Sequence, residues 1–460
     1  MAVNTLDLAT LRARVAAAGS PLYLGSSAMG PAFAAPQQGM LVLGPPRSGK
    51  TTTLVIPNAL VAPGPVVSTS TKPDVMAATL AARDQVGQCW LFDPSGRAKP
   101  PPGVRPLRWS PVPACRDWEA ALMTAKAMTR TARPTAHLGE GAHWIERAEA
   151  LLAPLLHAAA ITHSGMDEVV KWVNRHILEE AHSELEGSGM PWDVIDGLAN
   201  TDGREMSGIW STAAGVLAAY RSPAALAMAQ EPNFDPQRFP STTDTVYICS
   251  PSHQQALAAP LVVGLIEQIR AGAYEQSAAA ISQGRPPPRP VTLLLDEAAN
   301  IAPIPELPSI VAEGASQGLV TLACFQDLSQ ARSLWPAKAD GFLSLFGVKV
   351  ILPGIGDVRT LDDLSRLSGE RDVPVRSVTR RRVPIGRANT SVTWSTRRQP
   401  RLPVDAIAHL PLGTALLIEG RETPTLLRLS PWYCTAPFAP SLERPAPGRQ
   451  RALPSPGRSL

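Results

Sequence analysis

The chain has 460 residues, is 44% hydrophobic, and carries a net charge of +4 from 43 basic and 39 acidic side chains. That is enough apolar chain for two or three domains with a large core. It excludes a largely disordered or fibrous protein, while the charge is too mild to name a partner. The five cysteines (89, 115, 249, 324, 434) are odd in number and show no CxxC spacing, which argues against a disulfide framework or a cysteine metal site and for reduced thiols in a cytoplasmic protein.

Residues 1–38 read as a short helix, about 6–18, followed by a Gly/Ser/Pro-rich loop. This segment carries Asp7, Arg12 and Arg14 and has no signal-peptide core. From residue 39 the pattern alternates between strand and helix. Gly39-Met40-Leu41-Val42-Leu43 predicts a buried strand, and Gly44-Pro45-Pro46-Arg47-Ser48-Gly49-Lys50-Thr51 follows it, with Thr52 and an apolar run that can open a helix. Strand, G-x-x-x-x-G-K-[ST] and helix in that order is the setting of a phosphate-binding loop, or Walker A motif. Its glycines let the backbone close on phosphate, its amides and Lys50 meet phosphate oxygens, and the Thr51 hydroxyl holds Mg²⁺. Strands are expected at 66–69 and 90–93, then a proline-rich loop at 99–113.

Between about 118 and 228 strand signals vanish. Helical spacing recurs at 119–129, 143–162, 167–185 and 204–220, which predicts an all-α block set inside an α/β domain. Strands return at 245–249, 291–295, 319–325, 347–352 and 414–419, with helices between them at 255–271, 306–316 and 357–368. The apolar runs near 151–161 and 256–266 are expected to be too short to span a bilayer. Buried apolar strands alternating with helices imply an α/β fold with a mainly parallel sheet covered on both faces. The Ala/Pro/Arg/Ser/Gly composition of 436–460 predicts a disordered basic tail.

The second motif is Val291-Thr292-Leu293-Leu294-Leu295-Asp296-Glu297, an apolar strand ending in two acids, as in a Walker B motif. Asp296 is placed to order Mg²⁺ and Glu297 to act as general base toward water. Gln326, just after the strand at 319–325, either senses the γ-phosphate or caps the next helix. Thr69-Ser70-Thr71-Lys72-Pro73-Asp74 comes too early in the chain for a guanine-reading motif. It has a phosphate-side or subunit-side role, or is a capped helix start. Only seven of the 43 basic residues are lysine, a bias that suits bidentate phosphate contact. Residues 376–401 hold Arg376, Arg380, Arg381, Arg382, Arg387, Arg397, Arg398 and Arg401, no acid, and Trp394. They read as a basic hairpin or loop aimed at nucleic-acid phosphates, or as a solvated basic loop.

Taken together, Gly44–Thr51, Val55-Ile56-Pro57-Asn58, Ser70–Asp74, Phe92-Asp93-Pro94, Leu295–Asn300 and Phe325–Gln330 resemble the coupling ATPases of type IV secretion and conjugation, the TraG/TraD type with its TraM-recognition region. The resemblance runs from about residue 39 to 435. It implies a RecA-like P-loop NTPase, divided into 39–117 and 229–435, with the all-α domain at 118–228 inserted to recognise substrate. It also implies ATP and Mg²⁺ as ligands, hexameric rings at the inner face of the cell membrane, and delivery of DNA or a relaxase–DNA complex to a secretion channel. Two departures stand out. The N-terminal transmembrane helices usual in the family are not seen in this sequence, which leaves a separate anchoring protein, a trimmed segment or a soluble variant as the readings. Gln317 in Glu313–Gly318 stands where relatives often carry an arginine. The alternatives are an ATP-binding adaptor with little turnover, or an FtsK-like DNA pump.

Overall fold

A computed structural model describes residues 7–27, 30–132, 140–251, 255–381 and 389–439. The strands, in chain order, are β1 (Tyr23–Ser27), β2 (Gly30–Phe33), β3 (Met40–Leu43), β4 (Val66–Ser70), β5 (Cys89–Phe92), β6 (Val104–Pro106), β7 (Thr245–Cys249), β8 (Val291–Leu295), β9 (Leu319–Phe325), β10 (Val348–Ile351), β11 (Glu370–Arg381), β12 (Asn389–Pro400), β13 (Thr414–Glu419) and β14 (Thr425–Arg428). Twelve of them form one sheet in the order β2-β1-β14-β13-β10-β3-β9-β8-β4-β7-β5-β6. The run from β10 to β6 is parallel throughout, and β13, β14, β1 and β2 extend it antiparallel. Crossover helices cover both faces, so the central strands are apolar on both sides. Along β3, Leu41 and Leu43 face one core while Met40 and Val42 face the other.

The strands at 23–27, 30–33, 104–106 and 425–428 lie where the sequence reading placed loops or nothing. The physical reason is that these are short edge or antiparallel strands; three of them carry Gly, Pro or Ser, whose own propensity for the extended state is low, and Thr425–Arg428 is too short to stand out by pattern. Their pairing comes from the partner strand. Gly25, at φ +138°, sits so close to β14 that a Cβ there would lie 2.8 Å from Leu429 Cδ2. The expected tail is also corrected at its start: Phe438 is buried with its ring centroid 5.1 Å from that of Tyr23. Residues 440–460 fall outside the described residues.

Between β6 and β7 the described chain is helical, with Trp118–Ala132, Glu140–Ile161, Met166–Arg175, Glu179–Glu184, Met190–Ala199, Gly203–Val216 and Pro223–Gln230 as its helices. The stretch 167–185, expected as one helix, breaks after Arg175, where His176 takes a left-handed conformation (φ 57°). This block is fastened to the sheet by the helix Gln255–Ser282. Gln268 of that helix accepts from Trp109 Nε1 at 3.0 Å and donates to the Pro111 carbonyl at 3.1 Å. Gly264 gives Trp109 room, since a Cβ there would lie 2.9 Å from the indole. The helix runs 28 residues, well past the 256–266 run, and by length and apolarity it is able to cross a membrane. Here 78% of its most apolar window is buried inside the fold. Among the cysteines, Cys89, Cys115 and Cys324 are buried thiols, Cys249 is half-buried, and Cys434 is exposed.

One buried charge locks the sheet's centre. Arg83 is fully buried and donates to Thr245 Oγ1 (2.7 Å) and to the carbonyls of Ala62 (2.7 Å), Gly64 (3.0 Å) and Thr243 (2.9 Å). It thereby ties the turn before β4 to the turn before β7. Burial pulls its pKa down to about 10, so the guanidinium stays charged at neutral pH. Arg83→Met would leave three buried carbonyls without a donor. We expect a loss of about 3 kcal/mol or more, read as a lowered urea midpoint.

Candidate nucleotide-binding site

The parallel strands bring the two motifs to one edge of the sheet. Leu43 at the end of β3 pairs with Phe325 at the end of β9, Ala323 of β9 pairs with Leu295 of β8, and Leu295 pairs with Thr69 of β4. The residues just past these four strand ends therefore cluster: the Gly44–Thr51 loop, Gln326, Asp296–Glu297, and Ser70–Asp74. The loop starts with the Gly44 amide donating to the Phe325 carbonyl at 3.1 Å. A Cβ on Gly44 would lie 2.7 Å from Ser48 Oγ and 2.9 Å from Leu352 Cβ, so only glycine fits. Gly49 takes φ +99° and Arg47 φ +63°, which curl the loop back over the helix start. The first turn, Thr51–Val55, is the wider π form, and Thr53 donates its hydroxyl back to the Gly49 carbonyl at 2.9 Å. Thr52 does the same at 3.2 Å.

Lys50 is 6% exposed, and its Nζ rests on the carbonyls of Gly44 (2.6 Å) and Pro45 (3.0 Å), folded into the concavity of its own loop. The Ser48 hydroxyl is buried there without a protein partner. Pro46 and Arg47 form the exposed crest. Thr51 Oγ1 donates to Asp296 Oδ2 at 2.5 Å, a contact between residues 245 apart in the chain. Burial pushes the Asp296 carboxyl up to about 6. The Thr51 hydrogen bond and Lys50 oppose the shift, and Glu297 and Asp74 add to it. The Asp296 carbonyl accepts the Thr69 hydroxyl at 2.9 Å, which fixes the backbone at the tip of β8. Glu297 is half-buried in a left-handed conformation (φ 59°), a costly state for a non-glycine residue, and its carboxylate accepts from Asn300 Nδ2 at 3.0 Å.

Gln326 stands half-buried beyond β9, and its amide donates to Gln330 Oε1 at 2.8 Å. The cap of the helix Leu328–Leu334 is its neighbour Asp327, which accepts from the Ser329 amide. Asp74 is exposed and accepts from Ser70 Oγ at 3.1 Å and from the Val75 amide at 2.9 Å; the helix Asp74–Arg83 has Pro73 at its N-cap position and no side-chain cap, so the expected capped start is not found. Gln317 is half-buried at the end of the turn Gly314–Gln317. Sequence reasoning missed Thr69 as a positioning residue. Thr69 stands between Ser68 and Ser70 in β4, and nothing in that run of hydroxyls marks which one is tied to Asp296 until the neighbouring strand is known.

The cradle fits a magnesium–nucleotide. No group of three or more His, Cys, Asp or Glu able to hold a metal exists among the described residues. A single buried carboxylate beside a hydroxyl is what Mg²⁺ shared with phosphate oxygens requires, because the remaining ligands are phosphate and water. The spare hydroxyl of Ser48 and the ammonium of Lys50 supply donors at the same place.

The basic stretch is separate from this cluster. β11 and β12 pair only with each other, as a long antiparallel ribbon outside the main sheet. Arg376 lies opposite Trp394, and Val373 opposite Arg397. Trp394 is 66% exposed. Arg398 makes only long ion pairs to Glu370 (3.8 Å) and Asp372 (3.9 Å) at the ribbon's base. Arg380 and Arg381 end β11, and Arg382 and Arg387 lie outside the described residues.

A family model described as type IV secretory system conjugative DNA transfer matches residues 10–446. No curated protein matches the sequence. Solved structures do match in fold. The unbound form of the bacterial conjugative coupling protein TrwBdeltaN70 is similar at a TM-score of 0.64 and 19% identity, covering 86% of this chain and 85% of that one. The plasmid coupling protein TrwB in complex with ADP and Mg²⁺ matches at 0.64 and 17%, covering 86% of each chain. Its complex with the non-hydrolysable ATP analogue ADPNP matches at 0.64 and 18%, again covering 86% of each.

Proposed function

The chain belongs to the type IV secretory system conjugative DNA transfer family, and from that premise we propose that it is a coupling protein that binds ATP with Mg²⁺ and hydrolyses it to move DNA or a relaxase–DNA complex toward the secretion channel. The observation that carries this reading is the 2.5 Å hydrogen bond from Thr51 to Asp296, which joins the two phosphate-site motifs into one pocket. Structures of the same fold hold ADP with Mg²⁺ or ADPNP, which supports the same ligands here.

In this reading the amides of the loop Gly44–Thr51 and the Lys50 ammonium hold the phosphates, and Lys50 exchanges the two carbonyls it now touches for phosphate oxygens. Thr51 and Asp296 hold Mg²⁺, which when bound offsets charge on the β- and γ-phosphates. That positive charge would also draw the Asp296 carboxyl back down to its ionised form. Glu297 takes the proton of the attacking water, and Gln326 faces the γ-phosphate side from the tip of β9. We assign residues 118–228 to an all-α domain that meets the substrate, 39–117 and 229–435 to the motor, and the ribbon arginines 380, 381, 382, 387, 397 and 398 to nucleic-acid phosphates. A homo-hexamer peripheral to the inner face of the membrane completes the proposal.

Steady-state ATP turnover with and without single- and double-stranded DNA tests it. Turnover that rises several-fold with DNA is the expected result. A second reading, an adaptor that holds ATP with little hydrolysis, draws on Gln317, which offers a neighbouring site no positive charge. Binding without turnover under every DNA condition would select it.

A further inference from the structure

Only two of the seven lysines, Lys50 and Lys349, are buried among the described residues. Lys50 lines the phosphate loop. Lys349 has no such explanation. It lies in the middle of β10, paired with Leu41 of β3 on one side and Ile418 of β13 on the other, and is 7% exposed. Its ammonium makes no hydrogen bond or ion pair with any described residue, and burial pulls its pKa below the ordinary lysine value. The side chain is packed away while its ammonium reaches solvent through the cavity it lines, and leucine or valine would pack in this strand without desolvating any part of a charge.

The lysine opens into a cavity of about 650 Å³ between β10 and the helices Leu328–Leu334 and Val358–Leu367. Three arginines share that cavity. Arg332 is already neutralised by Asp357 and by Asp363 at 3.5 Å. Arg359 reaches the exposed Asp340 at 3.6 Å. Arg366 is exposed and has no ion pair with any described residue. The cavity thus combines a satisfied cluster with spare positive charge on Lys349 and Arg366. It is distinct from the nucleotide cradle: Lys349 lies two positions before Ile351, the residue that pairs with Leu43 at the mouth of the phosphate loop.

We infer that this cavity is a second anion site, which binds a phosphate group through Lys349 and Arg366. A phosphate oxygen would give the ammonium the acceptor that the protein withholds, and an arginine fork beside a lysine point charge is a recurrent phosphate pairing. The phosphate comes either from free inorganic phosphate or from a nucleic-acid backbone, and these two sources share the same oxyanion chemistry.

The test uses full-length Lys50→Ala protein, in which the first phosphate site is disabled. Titration with inorganic phosphate, followed by calorimetry and thermal unfolding, should give saturable binding and a midpoint raised by about 2 °C near 10 mM phosphate. Lys50→Ala/Lys349→Met should lose both signals and should be no less stable than its parent without phosphate, because methionine fills the same space without a charge. Arg366→Gln, at an exposed position that folding does not need, should weaken binding by about 10-fold. An oligonucleotide that displaces phosphate assigns the site to the backbone, and one that does not assigns it to the free ion. Phosphate binding that is absent, or is identical in the Lys349→Met protein, overturns the proposal whatever the fate of the ATPase reading.

Discussion

Lys50→Ala loses nucleotide binding while the protein stays folded. The lysine is buried, and its hydrogen-bond partners among the described residues are two carbonyls of its own loop, Gly44 and Pro45. Removing it takes away the one cation inside the loop's concavity and leaves the amides to hold a polyphosphate alone. Losing a desolvated charge partner of this kind costs about 3 kcal/mol or more, a weakening of at least ~100-fold. A fluorescent ATP analogue titrated against wild type and variant measures it, with the thermal midpoint as the control for folding. The loop's shape rests on Gly44, Gly49 and the Gly49 carbonyl's bonds to Thr52 and Thr53, none of which involves Lys50. Unchanged affinity in a folded Lys50→Ala protein would remove the phosphate site from this loop.

Glu297→Gln separates binding from chemistry. Among the described residues, no hydrogen bond or ion pair joins the Glu297 carboxylate to the phosphate loop. Its carboxylate is held by Asn300 at the tip of β8, beside Asp296 and in a strained left-handed backbone. Glutamine keeps the size and can still accept from Asn300, but it cannot take a proton. ATP affinity should change by less than about 3-fold, whereas turnover should fall by roughly 10² to 10⁴, the usual worth of a general base. Rapid-quench measurement of phosphate release, with ATP binding checked on the same preparation, reads both. Turnover that persists in the variant would assign the proton transfer to another group, and Gln326, half-buried beyond the neighbouring strand β9, is the next residue to change.

Much of the fold was legible because its central strands are locally self-evident. Val291–Leu295 and Leu319–Phe325 are apolar runs of strand length, each with a single threonine, between polar turns, and both appear with those bounds. The phosphate loop was legible for a related reason: its glycines, lysine and threonine are contiguous, so their spacing is fixed by covalent geometry. The edge strands were not. Tyr23–Ser27 and Gly30–Phe33 carry Gly25, Gly30 and Pro31, which no propensity argument makes extended, and they exist because β14 offers β1 an open edge to pair with. The long helix Gln255–Ser282 was cut short in the sequence reading at 271, where Gly272 interrupts the helical pattern; it continues by packing against the turn at 239–241, and a Cβ on Gly272 would lie 2.9 Å from Gln237 Cα.

The sequence by itself determined which residues are the candidates for phosphate chemistry, because Gly44–Thr51 and Asp296–Glu297 are each read within a handful of neighbouring positions. Only the tertiary structure decided that Thr51 and Asp296 touch, that Thr69 holds the Asp296 carbonyl, and that Lys349 is buried with no hydrogen bond or ion pair to a described residue. Those facts depend on strand order and register. A parallel sheet built from strands hundreds of residues apart sets them by long-range pairing, for which local sequence carries no signal.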